Sequence, residues 1–323
     1  MGPAIVHRPV SSFRHPLNYY FPRMKKILIT GTNGLLGQKL VYRLCDRPDI
    51  DVIATARGGN RLVRLDGYRY FPADVTDYAA INAVLEAERP DVVIHTAAMT
   101  NVDACETQRD ECRRINVEAV VNLCGQCRHY GIHLVHLSTD FIFDGAAGPY
   151  DETAEPAPLS FYGQSKLDAE KVVMLQETPW TILRTVLVYG LTDNMSRSNI
   201  VLWVKNNLET GKTIRVVDDQ FRTPTFAEDL AQGCELAAMK GAAGIYNISG
   251  PDFMSIYELA CRVADHYGLD RALVERVSSD TLAQPAQRPP RTGFIIGKAK
   301  KNLGYSPHSF EESLKIMDEQ MKN

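Results

Sequence analysis

The chain has 323 residues and a formal net charge of −3. That length suits one large α/β domain or two coupled ones, and that charge gives no electrostatic argument for nucleic acid or an anionic membrane. No apolar run approaches the ~20 residues a membrane helix needs.

The seven cysteines are odd in number and scattered, which fits reduced thiols in a cytosol better than a disulfide framework. A cytoplasmic protein is the expectation. Residues 1–24 are expected to be a disordered extension: four prolines, three arginines, no acid and no regular period. Arginines without acids also suit a targeting peptide, but Met24-Lys25-Lys26 reads as the natural start of the folded part.

Ile27-Leu28-Ile29 is a short buried-strand run. Leu35, Leu36 and Leu40 follow at helical spacing. Between them, Gly31, Gly34 and Gly37 form a G-x-x-G-x-x-G turn, with Asn33 inside it. A strand, a glycine turn and a helix start make a cradle for a dinucleotide pyrophosphate: glycine lets the backbone come close, and the helix N-terminus offers free N–H groups. Gly31, Asn33, Gly34, Leu35, Leu36 and Gly37 are its expected contacts.

A second strand over 51–55 ends in Thr55-Ala56-Arg57, where an NAD-preferring site would place an acid. An arginine there pairs with a 2′-phosphate, each charge-assisted bond being worth roughly 1.5–3 kcal/mol. The expected cofactor is therefore NADP(H), with NAD(H) the alternative and Arg61 a second candidate arginine. Asp74, next to Val75, can accept from an adenine amine and is equally ordinary as a turn residue. A helix over roughly 78–88 follows, then a buried strand over 90–95. It opens into Thr96-Ala97-Ala98-Met99-Thr100, where Ala97, Ala98 and Thr100 are small enough for a cofactor to lie across the strand tip. A long helical segment spans about 106–130, interrupted near Asn116. Its Cys124-Gly-Gln-Cys127 lacks a second pair at zinc spacing and reads as packing, so no metal site is assigned. The strand Leu134–Leu137 then ends in Ser138-Thr139-Asp140. This alternation argues a parallel, doubly wound α/β sheet.

Ser160 is the expected cap of the next helix. On it Tyr162 and Lys166, four apart, share one face. A free phenol titrates near pH ~10, and a nearby ammonium favours the phenolate and lowers that value. Tyr162 is thereby suited to give a proton to a carbonyl oxygen, with the Thr139 hydroxyl holding that oxygen.

With these pieces stand HTAAMTNVDACE at 95–106, INVEAVVNLC at 115–124, HLSTDFIFDG at 136–145, LRTVLVYG at 183–190, VVDDQFRTPTFAEDLA at 216–231 and AQRPPRT at 286–292. Together they resemble the extended short-chain dehydrogenase/reductases, and within them the dTDP-4-dehydrorhamnose reductase-like group. The resemblance implies a Rossmann-type sheet with a smaller C-terminal α/β substrate domain and a catalytic set of Thr139, Tyr162 and Lys166. It implies a sugar-nucleotide substrate touched by Thr139 and Asp140, and a homodimer is compatible with it. The rhamnose enzymes usually carry tryptophan where this chain has Leu187 and glycine where it has Arg222. Both positions belong to the expected substrate site. Arg222 resembles the pattern in a relative, the regulatory β subunit of methionine adenosyltransferase, which keeps the fold as a partner protein.

The remainder should build the substrate part. A strand over 181–186, a helix over 196–210 with Ile200, Val204 and Leu208 on its core stripe, and a capping box Thr225-x-x-Glu228 opening a helix toward Met239 are expected. A strand at 244–248, helices near 255–267 and 309–320, and a proline-rich loop with Arg288 and Arg291 complete it. Arg288 and Arg291 have the geometry to clamp a diphosphate, or to be ordinary loop charges. The expected division is 25–187, also receiving about 225–249, for the cofactor, and 188–224 with 250–323 for the substrate. The function expected is reduction of a nucleotide-linked keto-sugar. Epimerisation on the same residues and a non-catalytic cofactor-binding subunit are the alternatives.

Overall fold

The computed structural model describes Gly2 and residues 23–194, 198–282 and 284–322. The expected disordered extension, apart from Gly2, Arg23 and Met24, lies outside the described residues, as do residues 196 and 197 of the expected 196–210 helix.

Each apolar run of the first half becomes a strand and each amphipathic stretch a helix. They follow as β1 (Lys25–Thr30), α1 (Leu35–Cys45), β2 (Ile50–Ala56), β3 (Tyr68–Pro72), α2 (Tyr78–Glu88), β4 (Val92–His95), α3 (Val102–Thr107), α4 (Arg109–Arg113) and α5 (Ala119–Tyr130). Then come β5 (His133–Thr139), α6 (Phe161–Met174), β6 (Trp180–Thr185) and the two-residue β7 (Val188–Tyr189). The second half runs α7 (Ile200–Glu209), β8 (Ile214–Val217), β9 (Phe221–Arg222), β10 (Thr225–Phe226), α8 (Ala227–Lys240) and β11 (Gly244–Asn247). It closes with β12 (Met254–Ser255), α9 (Ile256–Tyr267), β13 (Val274–Val277), α10 (Gly297–Leu303) and α11 (Phe310–Lys322).

Seven strands form one parallel sheet in the order β11-β6-β5-β4-β1-β2-β3. β1 pairs with β2 from Lys25↔Ile50 to Thr30↔Thr55 and with β4 from Ile27↔Val92 to Thr30↔His95. Strand alternation sends Ile27 and Ile29 to one face, with Leu40, Leu44 and Leu230 of α1 and α8. Leu28, Ile53 and Val93 go to the other, with Leu85, Leu123 and Val173 of α2, α5 and α6. The sheet is thus covered on both faces, as a parallel sheet requires. Cys124 and Cys127 lie in the second core, their thiols pushed up by burial.

A third core gathers Val204, Leu208, Leu259, Val263, Leu314 and Met317 from α7, α9 and α11, against the parallel pair β8–β13. The chain returns through α8 and β11 to extend the first sheet beside β6.

Two expectations are refined. The interruption near Asn116 is a π-turn at Arg114–Glu118. There Asn116 Oδ1 accepts from the Met99 N–H at 2.8 Å and its Nδ2 donates to the Met99 carbonyl at 3.0 Å. The capping box does not form: α8 has Phe226 at its N-cap position and no side-chain cap. Thr225 is in β10 instead, its hydroxyl donating to the Val186 carbonyl at 2.7 Å, and Glu228 pairs with Lys39 at 2.7 Å. The hydroxyl turns to the Val186 carbonyl and the Thr225 N–H to the Leu187 carbonyl, so neither faces the helix end.

One buried ion pair ties α6 to the sheet. Arg184 of β6 meets Glu170 of α6 through Nη2–Oε2 at 2.7 Å and Nε–Oε1 at 3.0 Å, and both side chains are almost wholly buried. Glu170→Ala strands the guanidinium, and urea denaturation is expected to register a loss of about 3–5 kcal/mol.

Candidate functional site

In chain order the sheet reverses direction between β1 and β4, the switch point at which open α/β sheets leave a crevice. A cleft of about 760 Å³ lies there, bordered by the ends of β5 and by the glycine turn.

Gly31, Asn33, Gly34, Leu35, Leu36 and Gly37 line one wall, with Ala98 and Thr100 beside them. Gly31 has φ +74°, and a Cβ there would stand 2.8 Å from the Ala97 nitrogen. A Cβ on Gly37 would press on the Gly31 carbonyl and stand 2.6 Å from Thr32 Cα. α1 opens at Gly34 with no side-chain cap and no acid in its first turn. Its first N–H groups and positive end therefore remain for an anion, so the residues present fit a dinucleotide pyrophosphate. Gly37→Ala should cost about 1–3 kcal/mol of stability by overpacking and, because the cradle itself moves, weaken NADPH binding by at least about tenfold. Calorimetric titration of the folded variant checks this.

Ala97 lies beneath the turn rather than on the cleft. Arg57, Asp74 and Val75 do not border the cleft. The Arg57 side chain is 78% exposed and stands 4.0 Å from the Asp74 carboxylate. Asp74 accepts from the N–H and hydroxyl of Thr76 at 2.9 Å, the turn role, and Val75 is core. Asn33 links the turn to this edge. Its Nδ2 donates to the Gly59 carbonyl at 2.9 Å and its Oδ1 accepts from the Arg61 N–H at 3.0 Å.

On the opposite wall Ser160 caps α6 as expected, accepting from the Gly163 N–H at 3.2 Å. Tyr162 and Lys166 are both buried and both line the cleft, with Thr139 and Asp140 at the end of β5. The Thr139 hydroxyl donates to Asp140 Oδ1 at 3.1 Å and accepts from the Phe141 N–H at 3.2 Å. The net shift of the phenol is upward, against the expected lowering. Burial holds Tyr162 above the ordinary phenol value, and the contact that pulls it down is a hydrogen bond with Thr139. Asp140, Cys105 and Cys112 add to the upward push. Lys166 is itself brought down to about 8 by burial, against the charges of Glu170 and Cys112. Its Nζ lies 3.4 Å from His136 Nε2.

Asp140 is raised by burial, opposed by Arg222 and by hydrogen bonds from Thr292 and Thr139. Arg222 Nε stands 3.6 Å from Asp140 Oδ2, and its Nη2 donates to the Pro289 carbonyl at 2.8 Å. Arg288 donates to both carboxylate oxygens of Asp103, at 2.7 and 3.1 Å. Arg222 and Arg288 both line the cleft, but each already has protein acceptors, so neither is a free diphosphate clamp. Arg291 packs its guanidinium over the rings of Phe221 and Phe253, 4.7 and 5.3 Å from their centroids. Leu187 lines the cleft with φ +41°, an uncommon backbone for a residue with a Cβ.

Polar residues outside the expected set also stand at this site. Ser138 and Gln220 border the cleft. Asn116 Nδ2 lies 3.1 Å from the Ser165 hydroxyl, between Tyr162 and Lys166. Ser138 and Asn116 interrupt apolar runs, whereas Gln220 lies in the polar stretch Asp218–Arg222 and carries no such signal. Among the described residues no helix is long and apolar enough to cross a membrane. Nor do any three His, Cys, Asp or Glu side chains gather to hold a metal ion.

The family model described as the RmlD substrate binding domain matches residues 24–323. The β subunit of methionine adenosyltransferase 2 from Rattus norvegicus is 30% identical over 279 residues, 85% of this chain and 81% of that protein. The spore coat polysaccharide biosynthesis protein SpsK from Bacillus subtilis is 30% identical over 295 residues, 90% and 96% of the two chains. A crystal structure of dTDP-4-dehydrorhamnose reductase from Bacillus anthracis in complex with NADP superposes with a TM-score of 0.78 at 28% identity, covering 92% of this chain and all of that one. The chain belongs to the RmlD substrate binding domain family, the dTDP-4-dehydrorhamnose reductase-like branch of the extended short-chain dehydrogenase/reductases.

Proposed function

We propose that this protein is an NADPH-dependent reductase of a nucleotide-linked keto-sugar, with a dTDP-4-keto-6-deoxyhexose the first substrate to test. One observation carries the reading: Tyr162, Thr139 and Lys166 line one cleft with an uncapped glycine-turn helix start. Residues 25–187 with about 225–249 would hold the cofactor. Residues 188–224 and 250–323 would hold the sugar nucleotide, with Asp140, Leu187, Arg222 and Arg288 on its side of the cleft.

When bound, the reduced nicotinamide supplies a hydride for the C4 carbonyl carbon. Tyr162 holds its proton at neutral pH as any phenol does, and burial raises it further, so it is loaded as an acid rather than as a base. It gives that proton to the carbonyl oxygen, which the Thr139 hydroxyl orients. Lys166, still mostly protonated at pH 7, offers N–H donors to the ribose and a positive charge for the phenolate left behind.

Oxidation of NADPH against dTDP-, UDP- and GDP-keto-sugars, with NADH run beside it, tests this reading; turnover with none of them rejects it. Arg57 sets the cofactor preference. Arg57→Ala should weaken NADPH by about tenfold or more, the worth of one charge-assisted bond to a 2′-phosphate, and leave NADH unchanged. Equal losses for both cofactors would remove Arg57 from that role.

A second reading, a non-catalytic cofactor-binding subunit, is favoured by the likeness to the methionine adenosyltransferase β subunit and by the buried Arg222. Retention of Thr139, Tyr162 and Lys166 supports the reductase over it.

A further inference from the structure

Of the three buried histidines the mechanism leaves unused, two stack on each other beside Lys166. His95 ends β4 and His136 lies in β5, their rings stacked at 5.5 Å and 20°. His95 Nδ1 is 2.8 Å from the Thr30 hydroxyl, and His136 Nε2 is 3.4 Å from the Lys166 amine. His95 Nε2 and His136 Nδ1 have no hydrogen-bond partner. An ammonium is a donor only, so the imidazole nitrogen facing it must carry the lone pair. That places the His136 proton on Nδ1.

We propose that His136 is a positioning residue for Lys166: its neutral imidazole accepts from the ammonium through Nε2 and fixes the amine beneath the cleft. The assignment rests on the reductase reading for its effect on turnover, but not for its geometry. A cation buried without an acceptor would swing or lose its proton. The other titratable groups that act on this amine are Glu170, held by Arg184, Cys112 of α4, and His95 behind His136. Glu170 is engaged with Arg184, and Cys112 lies 3.5 Å from the Ser165 hydroxyl. Among the hydrogen bonds of the described residues, His136 is the partner of Lys166 Nζ.

Three variants test the assignment. His136→Leu removes the acceptor. His136→Gln carries an amide oxygen that reaches the Nε2 position, and His136→Asn reaches only the Nδ1 position. His136→Leu and His136→Asn are expected to lower kcat roughly 10- to 100-fold, the cost of a lost charge-assisted bond or a displaced catalytic group, with KM for the keto-sugar changed less than about threefold. His136→Gln restores most of the loss. The alkaline limb of kcat, near pH 8 from Lys166, should move about one unit lower in His136→Leu, because the acceptor favouring the ammonium is gone.

Two readouts need no turnover. Nitrogen-15 NMR of the wild-type protein should show His136 as the Nδ1–H tautomer, neutral at pH 6. The pH limb of NADPH affinity should shift in His136→Leu as kcat does. If the wild type reduces no keto-sugar while both readouts hold, the reductase reading fails and the role of His136 stands. An Nε2–H tautomer, or equal rescue by Asn and Gln with an unmoved limb, overturns the proposal.

Discussion

Replacing Tyr162 with phenylalanine is expected to cut turnover about 10²–10⁴-fold, the range for loss of a positioned proton donor, while leaving NADPH affinity within about twofold. The ring stays where it is. It packs edge-on against Phe141 at 5.8 Å and against Cys105 and Cys112, and none of these contacts needs the hydroxyl. What disappears is the hydroxyl and the proton it carries at neutral pH. The glycine turn lies across the cleft and is untouched. Steady-state kinetics and calorimetric NADPH titration of the same preparation separate the two effects. Wild-type turnover in the variant would take Tyr162 out of the chemistry.

Acid is expected to unfold this protein early. His95, His133 and His136 are buried in adjacent strands of the sheet. Burial brings His95 down to about 3 and His133 to about 4, and holds His136 well below its ordinary value. The positive charge of Lys166 adds to the shift at His95 and His136, and that of Lys25 at His133. The sign follows from linkage. Below about pH 6.5 the unfolded chain takes up protons that the folded chain refuses, so stability falls with falling pH, by about 1.4 kcal/mol per unit for each histidine. At pH 5 that is about 2 kcal/mol each, of the order of 6 kcal/mol together. Asp140 and Asp229, raised by burial, work the other way and recover part of it. Urea denaturation at pH 7.5 and pH 5 measures the difference. His133→Gln, which keeps a partner for the Thr181 hydroxyl now 2.8 Å from the ring, should remove about a third of it. An unchanged midpoint between the two pH values would mean these histidines protonate in the folded state.

The parts legible in the sequence are those set by local spacing. β1, the glycine turn and α1 follow from one apolar run and three glycines, and Tyr162 and Lys166 share a face because four residues make about one turn. Ser160 caps α6 because the N–H its hydroxyl accepts from, that of Gly163, lies three residues away. The parts not legible depend on partners distant in the chain. Arg288 reads as a loop charge until the fold brings Asp103, 185 residues away, onto its guanidinium. Arg222 finds its carbonyls in the 289–290 loop. Thr225 has the capping pattern, but the fold places the Val186 carbonyl where its hydroxyl donates instead of accepting from the helix. The phenol of Tyr162 was expected to respond to its helix neighbour; its burial, which spacing does not reveal, acts more strongly. The two-residue strands β7, β9, β10 and β12 carry too few residues to show a period at all.

If the cleft delivers a hydride from a nicotinamide to a sugar ketone while Tyr162 protonates the oxygen, a label on that hydride ends on the sugar. Incubation with NADPH deuterated at the transferable C4 position, followed by mass spectrometry of the sugar nucleotide, tests it most directly. The account predicts a product carrying one deuterium at the former carbonyl carbon, formed with equal consumption of NADPH and nearly lost in Tyr162→Phe. NADPH bound tightly, with no deuterium reaching any dTDP-, UDP- or GDP-linked keto-sugar, would contradict it.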